Sequence, residues 1–173
     1  MNRLGVLAFM LAAGVFPSCF AAEHGSATIQ ATQPESAVSG QATFTPTTNG
    51  LTVSIQVQHV SPGPHGIHFH EKGDCADAGN AAGGHFNPDK TKHGFLPKDG
   101  FMAAHAGDLG NIDVGENGSG TLELTIPGLM LDDGPHGVVG HAIILHEKSD
   151  DFGQPTGNAG SRIGCGVITV DDR

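Results

Sequence analysis

Residues 51–58, with the sequence LTVSIQVQ, alternate apolar and polar side chains without a break. Successive side chains of a β-strand point to opposite faces, so this stretch predicts a strand with one buried face. Leu122, Leu124 and Ile126 repeat the pattern with polar residues between them. Glycine and proline separate such stretches, as in Ser61-Pro62-Gly63-Pro64, and predict turns there.

Other short stretches along the chain also have the composition of strands. They cover residues 27–33, 41–46, 66–71, 112–114, 142–147 and 166–170. No segment carries apolar residues at helical spacing, so about eight short strands predict an all-β fold, either a sandwich or a barrel. Residues 73–111 and 149–161 do not alternate, and loops of this length in a compact domain are usually functional.

The first 22 residues predict a signal peptide. One arginine supplies the initial charge, residues 4–16 form an apolar run of suitable length, and small residues follow. The run is too short to span a bilayer comfortably, and no later stretch is apolar enough to do so. Cleavage is expected after Ala21 or Ala22, and residues 23–173 are expected to form one domain.

Export also affects the expected fate of the cysteines. Lipoprotein processing at Cys19 is the alternative to cleavage, but Phe16-Pro17-Ser18 is a poor context for it and makes a lipid anchor the second choice. In an oxidising compartment, Cys75 and Cys165 are expected to form a disulfide bond rather than remain two thiols. The bond would close a loop of about 90 residues and contribute about 4 kcal/mol in the chain-entropy treatment.

The charge of the chain excludes one class of partner. The net charge of −10 becomes −11 when Arg3 is removed with the signal peptide. Nucleic-acid binding requires basic patches that neutralise phosphates, so it is not expected.

Six of the eleven histidines fall in short motifs that suit a metal site. The motifs are His68-Phe69-His70, then His85, His93 and His105 followed by Asp108, and finally Leu145-His146-Glu147. On a strand, residues 68 and 70 point the same way, and imidazole suits copper, zinc, iron and nickel. Taken singly, each histidine is more often an exposed or core residue, but their conjunction favours a metal site.

Five motifs in order resemble the copper-zinc superoxide dismutase family. They are GIHFHE (66–71), GHFNP (84–88), HAGDLGN (105–111), HEKSDD (146–151) and GNAGSR (157–162). They span nearly all of the chain after the signal peptide, and together they are highly specific. The resemblance implies a Greek-key β-sandwich or flattened barrel of about eight antiparallel strands with two long functional loops. It also implies conversion of superoxide to dioxygen and hydrogen peroxide.

The resemblance implies one copper ion and one zinc ion per chain. It assigns His68, His70, His85 and His146 to copper, and His85, His93, His105 and Asp108 to zinc. Nitrogen ligands suit Cu(II), and three histidines with one carboxylate suit Zn(II). His85 is then expected to bridge the metals and to exchange a proton as copper is reduced and reoxidised.

Two further residues receive roles from the resemblance. Asp150 is expected to accept hydrogen bonds from His68 and His93 and so fix their orientation. Arg162 is expected to bind superoxide, because guanidinium is a permanent cation with rigid donors. Arg162 and His85 are therefore the expected catalytic residues.

The remaining histidines and the lysines carry weaker expectations. His65 is expected to bond to backbone groups and steady the copper ligands, and the others are expected to be structural or exposed: His24, His59, His136 and His141. Because a net charge of −11 repels an anion, local cations must offset it. Candidate cations for this offset are Lys72, Lys90, Lys92, Lys98 and Lys148. We hypothesise that Lys72 and the lysines within residues 73–111 steer the substrate.

Two spacings resemble the bacterial exported branch of the family. Cys75 follows His70 by only five positions, and the segment from His146 to Arg162 is short. They predict a periplasmic protein and argue against eukaryote-style substrate steering and dimer geometry. A homodimer is one expected partner. The rival functions are an exported copper and zinc buffer without turnover and a structural adhesion module. The complete set of ligand residues with Arg162 favours the enzyme.

Overall fold

The computed structural model describes residues 23–171, so the expected signal peptide and the lipidation alternative at Cys19 lie outside the described residues. Nearly all regular structure in that range is β. The strands are β1 (Gly25–Ala31), β2 (Ser39–Thr47), β3 (Gly50–Gln58), β4 (Gly63–His70), β5 (Asp108–Val114), β6 (Gly120–Ile126), β7 (Ala142–His146), β8 (Arg162–Val167) and β9 (Thr169–Val170). A 3₁₀ turn (Asn80–Ala82) and a one-turn helix α1 (Leu96–Asp99) lie between β4 and β5. No helix among the described residues is long and apolar enough to cross a membrane.

Eight strands close into an antiparallel barrel. Their order is β1-β2-β3-β6-β5-β4-β7-β8, and β8 pairs with β1 to complete the ring. The ninth strand, β9, continues the line of β8 along β1. The connections from β3 to β4 and from β6 to β7 pass over neighbouring strands, which is Greek-key connectivity. The expected all-β architecture is therefore confirmed.

The alternating stretch at 51–58 fills one side of the barrel interior. Its four apolar side chains are each at most 1% exposed, while the polar residues between them face outward. Phe44 and Phe69 pack in the same core, with their ring centroids 6.0 Å apart. Burial of the apolar face supplies the main driving force for closing the sheet.

Strand β4 is buried on both faces, and this property creates the functional site. Ile67 and Phe69 point into the barrel core. His68 and His70 point the opposite way, as the two-residue period of a strand requires, and they too are buried. The two long loops cover this outer face, because His68 bonds to Asp150 and His70 bonds to Gly83.

A disulfide bond ties the first long loop to the barrel. Cys75 and Cys165 are bonded, with a Cα–Cα distance of 5.7 Å, and Cys165 lies in β8. Ala82 and Ile144 pack beside Cys165 in a small apolar cluster outside the barrel. The disulfide expected from the sequence is present, and it holds the start of the loop against the strand.

Two strands begin four residues earlier than the sequence predicts, the largest differences from the expected boundaries. Strand β5 begins at Asp108, inside the stretch expected to be a loop, because residues 108–114 pair with β4. The strand expected at 166–170 begins earlier, at Arg162, and is interrupted at Ile168. The alternation rule missed this segment, because Gly164 and Gly166 carry no side chains that could show a pattern.

Candidate metal centre

The six histidines of the sequence motifs converge on the outer face of β4. They form two groups with one carboxylate, and within each group the candidate ligand atoms lie within 4.8 Å of one another. The first group is His68, His70, His85 and His146, and the second is His85, His93, His105 and Asp108. All seven side chains are buried. His85 is the only residue common to both groups, so it lies between two candidate metal positions.

Neighbouring strands assemble the first group. His68 and His70 come from β4, and His146 ends β7, which pairs antiparallel with β4. His85 comes from the first long loop and forms an isolated antiparallel bridge with His70. Three of the four imidazoles are therefore fixed by the barrel itself, and the fourth is held against its edge.

Hydrogen bonds determine which nitrogen two of these imidazoles can offer. His70 Nδ1 donates to the Gly83 carbonyl at 3.0 Å, and His146 Nδ1 donates to the Gly160 carbonyl at 3.3 Å. A carbonyl oxygen only accepts, so each Nδ1 carries the proton and each Nε2 keeps a lone pair. Both Nε2 atoms are buried and have no hydrogen-bond partner among the described residues. This is the state in which imidazole binds a metal.

Asp150 links the two groups through its carboxylate. Oδ2 accepts from His68 Nε2 at 2.9 Å, and Oδ1 accepts from His93 Nε2 at 3.0 Å. His68 Nδ1 is buried without a hydrogen-bond partner among residues 23–171, whereas His93 Nδ1 lies 2.9 Å from Asp108 Oδ1. Burial raises the pKa of the Asp150 carboxyl, but the bonds from His68 and His93 more than offset this and hold that pKa below its usual range.

Asp150 lies in the second long loop, and Gly157 of the same loop passes close to the Asp150 carboxylate. Asn111 pairs with its main chain in both directions, accepting from the Asp150 N–H at 2.7 Å and donating to the Asp150 carbonyl at 3.0 Å. Gly157 has a φ of 75°, and a Cβ there would overlap the Asp150 carboxylate. Glycine is therefore required at 157 for the loop to cover this carboxylate.

The second group is arranged around one oxygen of Asp108. Oδ1 lies 2.9 Å from His85 Nδ1, 2.9 Å from His93 Nδ1 and 3.1 Å from His105 Nδ1. The other oxygen, Oδ2, accepts from the backbone N–H groups of Gly94 and His105. Burial raises the pKa of the Asp108 carboxyl, yet hydrogen bonds from the three imidazoles and from Gly94 hold it well below its usual range.

The charge states of the free protein follow from burial and from these carboxylates. Burial, aided by neighbouring positive charges, lowers the pKa of His70 to about 2 and that of His146 to about 3. Burial also lowers the pKa of His85 to about 4, although its hydrogen bond with Asp108 acts in the opposite direction. These rings are neutral at pH 7. Burial also lowers the pKa of His93, but hydrogen bonds with Asp108 and Asp150 raise it to about 9. A cation at the second group must therefore displace a proton from His93.

The donor atoms fit copper in the first group and zinc in the second. Four imidazoles and no thiolate or carboxylate suit Cu(II). Three imidazoles with one carboxylate are a common zinc set, and zinc bonds of about 2.0–2.1 Å place tetrahedral ligands roughly 3.3 Å apart. The spacings among His85, His105 and Asp108 run from 2.9 to 3.5 Å, close to that value. His85 can serve both sets, with Nδ1 toward the second and Nε2 left for the first.

One imidazole is shared between a group of nitrogen ligands and a group of zinc-type ligands. The comparison with known families agrees with this arrangement. The copper/zinc superoxide dismutase (SODC) family model matches residues 38–168, which include every candidate ligand and Arg162. The chain belongs to the copper/zinc superoxide dismutase family. A solved crystal structure, described as that of the clock protein EA4, is similar with a TM-score of 0.75 and 36% sequence identity. That match covers 93% of this chain and 100% of the other.

An open cleft leads to the copper-type group of this family member. It has a volume of about 370 Å³, and its lining includes His70, His85, His146 and Arg162. The Arg162 guanidinium donates from Nη1 to the Gly79 carbonyl and from Nη2 to the Gly83 carbonyl, both at 2.6 Å. Among the described residues, Arg162 is the only cation that lines the cleft. The cleft thus places one oriented positive group beside three imidazoles.

The lysines lie outside the cleft lining. The side chain of Lys148 lies 3.2 Å from the position that a Cβ would take on Gly160, a residue that lines the cleft. Lys72 lines a separate pocket with Phe86 and His141. Substrate steering by Lys72 and by the lysines of residues 73–111 therefore stays a prediction about the longer-range field.

Several positioning contacts had no signal in the sequence motifs. His141 Nδ1 bonds to the carbonyl of His70 at 3.0 Å, and Gln154 bonds to both the N–H and the carbonyl of His93. His65 Nδ1 lies 2.9 Å from the His146 carbonyl, a backbone contact of the kind expected from the sequence. Main-chain partners such as the Gly83 carbonyl cannot be found from side-chain patterns, because every residue has a carbonyl.

Proposed function

We propose that this protein is an exported superoxide dismutase with one copper ion and one zinc ion per chain. The observation that carries the proposal is the sharing of His85 between two buried ligand groups, of which the first opens to the cleft beside Arg162. The proposed ligands of copper are His68, His70, His85 and His146, and those of zinc are His85, His93, His105 and Asp108. Family membership supports this assignment.

Dismutation converts two superoxide anions and two protons into dioxygen and hydrogen peroxide. Copper at the first group supplies the one-electron redox chemistry, whereas zinc has none and shapes the site. His85 is the residue placed to hold a proton. Its Nδ1 faces the second group. The residue also lines the cleft, so Nε2 is the nitrogen left to keep a proton and pass it to the departing peroxide.

Arg162 is proposed to bind and orient the anion. Guanidinium stays charged at neutral pH, and two carbonyls fix its plane through Nη1 and Nη2. A fixed cation at the end of a cleft raises the local concentration of a small anion. Arg162 and His85 are therefore the proposed catalytic residues, while Asp150 positions His68 and His93.

We propose that the chain acts outside the cytoplasm, in the periplasm, as a member of the bacterial exported branch. The signal-like pattern of the first 22 residues supports this, and the Cys75–Cys165 disulfide is typical of an oxidising compartment. The short spacings near Cys75 and Arg162 support the same branch. A homodimer stays a prediction.

The proposal is tested with metal content and superoxide consumption of the purified mature protein. His146→Ala removes a ligand of the first group only, so copper and activity should be lost while zinc is retained. His136→Ala, which alters a histidine outside both groups, should keep both metals and full activity. If the wild-type protein retains zinc but consumes no superoxide after copper is supplied, the enzyme is excluded and the metal buffer is favoured.

A further inference from the structure

His141 lies outside both ligand groups but bonds directly to the main chain of one ligand. It immediately precedes β7, the strand that ends at His146. Its Nδ1 lies 3.0 Å from the carbonyl oxygen of His70, the last residue of β4. A carbonyl oxygen only accepts, so Nδ1 carries the proton and donates it. One imidazole therefore joins the start of β7 to the point where β4 enters the first long loop.

The ring of His141 also contacts the segment that carries the shared imidazole. It packs against Phe86, the residue after His85, with ring centroids 4.0 Å apart and planes inclined by 32°. Phe86 is buried and its main chain is held at both ends. Its N–H donates to the Phe69 carbonyl at 2.8 Å, and its carbonyl accepts from the Gly107 N–H at 2.9 Å. A shift of the His141 ring would therefore be felt next to His85.

The main chain of His141 is anchored to the barrel core. Its carbonyl accepts from the Ile168 N–H at 2.9 Å, and its N–H donates to the Val138 carbonyl at 3.2 Å. Ile168 and Val138 are both buried in the core cluster. His141 is thus a fixed point from which one hydrogen bond and one ring contact reach toward the copper-type group.

The two segments that His141 contacts carry two ligands that must be correctly spaced. The rings of His70 and His85 have centroids 5.0 Å apart, and the residues form an isolated antiparallel bridge. The Gly83 carbonyl orients the ring of His70, whereas His141 bonds to its main chain. The position of the ring and its orientation therefore depend on different partners.

We propose that His141 is a positioning residue of the copper site, which holds His70 and His85 at the separation that copper requires. The hydrogen bond to the His70 carbonyl carries this role, and the contact with Phe86 supports it. His141 lines the pocket of Lys72 and Phe86 rather than the cleft, so it acts through the ligands and not on the substrate. This inference rests on the assignment of copper to the first group under the proposed function.

Three substitutions of His141 separate the hydrogen bond from the packing of the ring. His141→Asn keeps a side-chain N–H close to the place of Nδ1 but lacks the ring. His141→Phe keeps a ring against Phe86 but has no donor, and His141→Ala removes both. His136→Ala is the matched control, because His136 lies in the same connection between β6 and β7. It packs against Phe101 with ring centroids 3.9 Å apart and bonds to Asp89, neither of which is a proposed ligand.

The test measures copper binding by zinc-loaded protein, with no turnover. Competition with a chromophoric chelator gives the affinity for Cu(II), and electron paramagnetic resonance gives the geometry of the bound ion. We expect His141→Ala and His141→Phe to bind Cu(II) about 10-fold more weakly, at the lower end of the usual effect of outer partners of metal ligands. Their hyperfine splitting should also differ from that of the wild type. His141→Asn and His136→Ala should keep the wild-type spectrum and an affinity within a factor of about two.

Wild-type affinity and spectrum in His141→Phe would overturn the proposal, because packing of the ring would then be sufficient. Failure of His141→Asn to restore the wild-type spectrum would overturn it as well. If His141→Ala does not fold, the comparison of the asparagine and phenylalanine variants still decides between these outcomes. A wild-type protein that binds copper but consumes no superoxide would reject the proposed enzyme, while the copper measurements would still test His141.

Discussion

Each imidazole in the copper-type group has one nitrogen bonded to the protein, and this division of roles is set by single residues. The Gly83 and Gly160 carbonyls leave Nε2 of their histidines for a metal, whereas the Asp150 carboxylate leaves Nδ1 of His68. A residue that only accepts thereby fixes the tautomer of the ring it contacts. The partner of each ligand therefore determines which nitrogen that ligand can offer to a metal.

Asp150→Asn tests this role at the residue scale. In the wild type, each carboxylate oxygen accepts a hydrogen bond from one imidazole, His68 or His93. The asparagine amide keeps only one oxygen, and its NH₂ group faces the other imidazole N–H, so one of the two histidines loses its acceptor. We expect zinc affinity to fall by roughly 10- to 100-fold, the usual cost of losing a partner of a metal ligand. Competition with a chromophoric chelator measures the affinity.

Asp151→Asn is the matched control for that substitution. The Asp151 carboxylate is exposed and bonds only to loop groups, the Gly153 N–H and the Asn158 amide. Its replacement should leave zinc affinity within a factor of about two, because surface changes typically alter free energies by less than 0.5 kcal/mol. Equal affinities for Asp150→Asn and the wild type would show that Asp150 does not support the ligands.

Ligand types could be predicted from the sequence, but their partners could not. The five ordered motifs and their resemblance to a known family were specific enough for the seven candidates to stand out. The structure brings all seven together. The contacts of Gln154 with His93 and of His141 with His70 join residues distant in the chain, and no local pattern encodes them.

At the scale of the element, a strand with two buried faces explains how the barrel supports the site. Strand β4 places Ile67 and Phe69 in the core and two histidines on the opposite face, so folding of the barrel fixes two of the proposed copper ligands. The alternation of residues 51–58 predicted β3 well, because its other face is solvated. Strand β8 was harder to predict. A Cβ on Gly166 would lie 2.6 Å from the Thr28 carbonyl, so the close packing of the strands requires glycine there, and glycine carries no side chain that could show alternation.

Ile55→Ala and Gln56→Ala provide a matched test of the inward and outward faces of β3. Ile55 is 1% exposed and packs in the barrel core, whereas Gln56 is exposed on the outer face. We expect Ile55→Ala to lower the free energy of unfolding by about 2–5 kcal/mol. Gln56→Ala should change it by less than about 0.5 kcal/mol. Urea denaturation of the metal-free protein measures both, and similar losses would contradict the assigned register.

Removing the disulfide tests the tie between the first long loop and β8. The bond joins residues 90 positions apart, so the chain-entropy treatment gives a loss of about 4 kcal/mol when both cysteines become alanine. Denaturant unfolding of the metal-free double variant, Cys75→Ala with Cys165→Ala, measures the change. Reduced wild-type protein should unfold at a similar denaturant concentration. A loss below about 1 kcal/mol would show that the loop is held mainly by its other contacts.

For the whole molecule, the acidic charge opposes the proposed substrate. A net charge of −11 without the signal peptide repels superoxide at long range, while Arg162 attracts it at the cleft. Salt screens these interactions, because the Debye length falls from about 30 Å at 0.01 M to about 10 Å at 0.1 M ionic strength. The sign of the salt effect on the rate therefore shows which interaction dominates at the cleft.

We expect kcat/KM for superoxide to fall as salt is added, because the local attraction dominates near the cleft. In Arg162→Ala the rate should be lower and its decrease with salt smaller.

Lys72→Ala is the control, because it removes the same amount of charge from a residue that lines a different pocket. The long-range repulsion is therefore the same in both variants. If Lys72 steers the substrate, its variant also loses rate and salt dependence, whereas an unchanged rate would reject steering by Lys72. If the two variants behave identically, net charge rather than the position of Arg162 controls the encounter, and the proposed role of Arg162 in binding the anion is wrong.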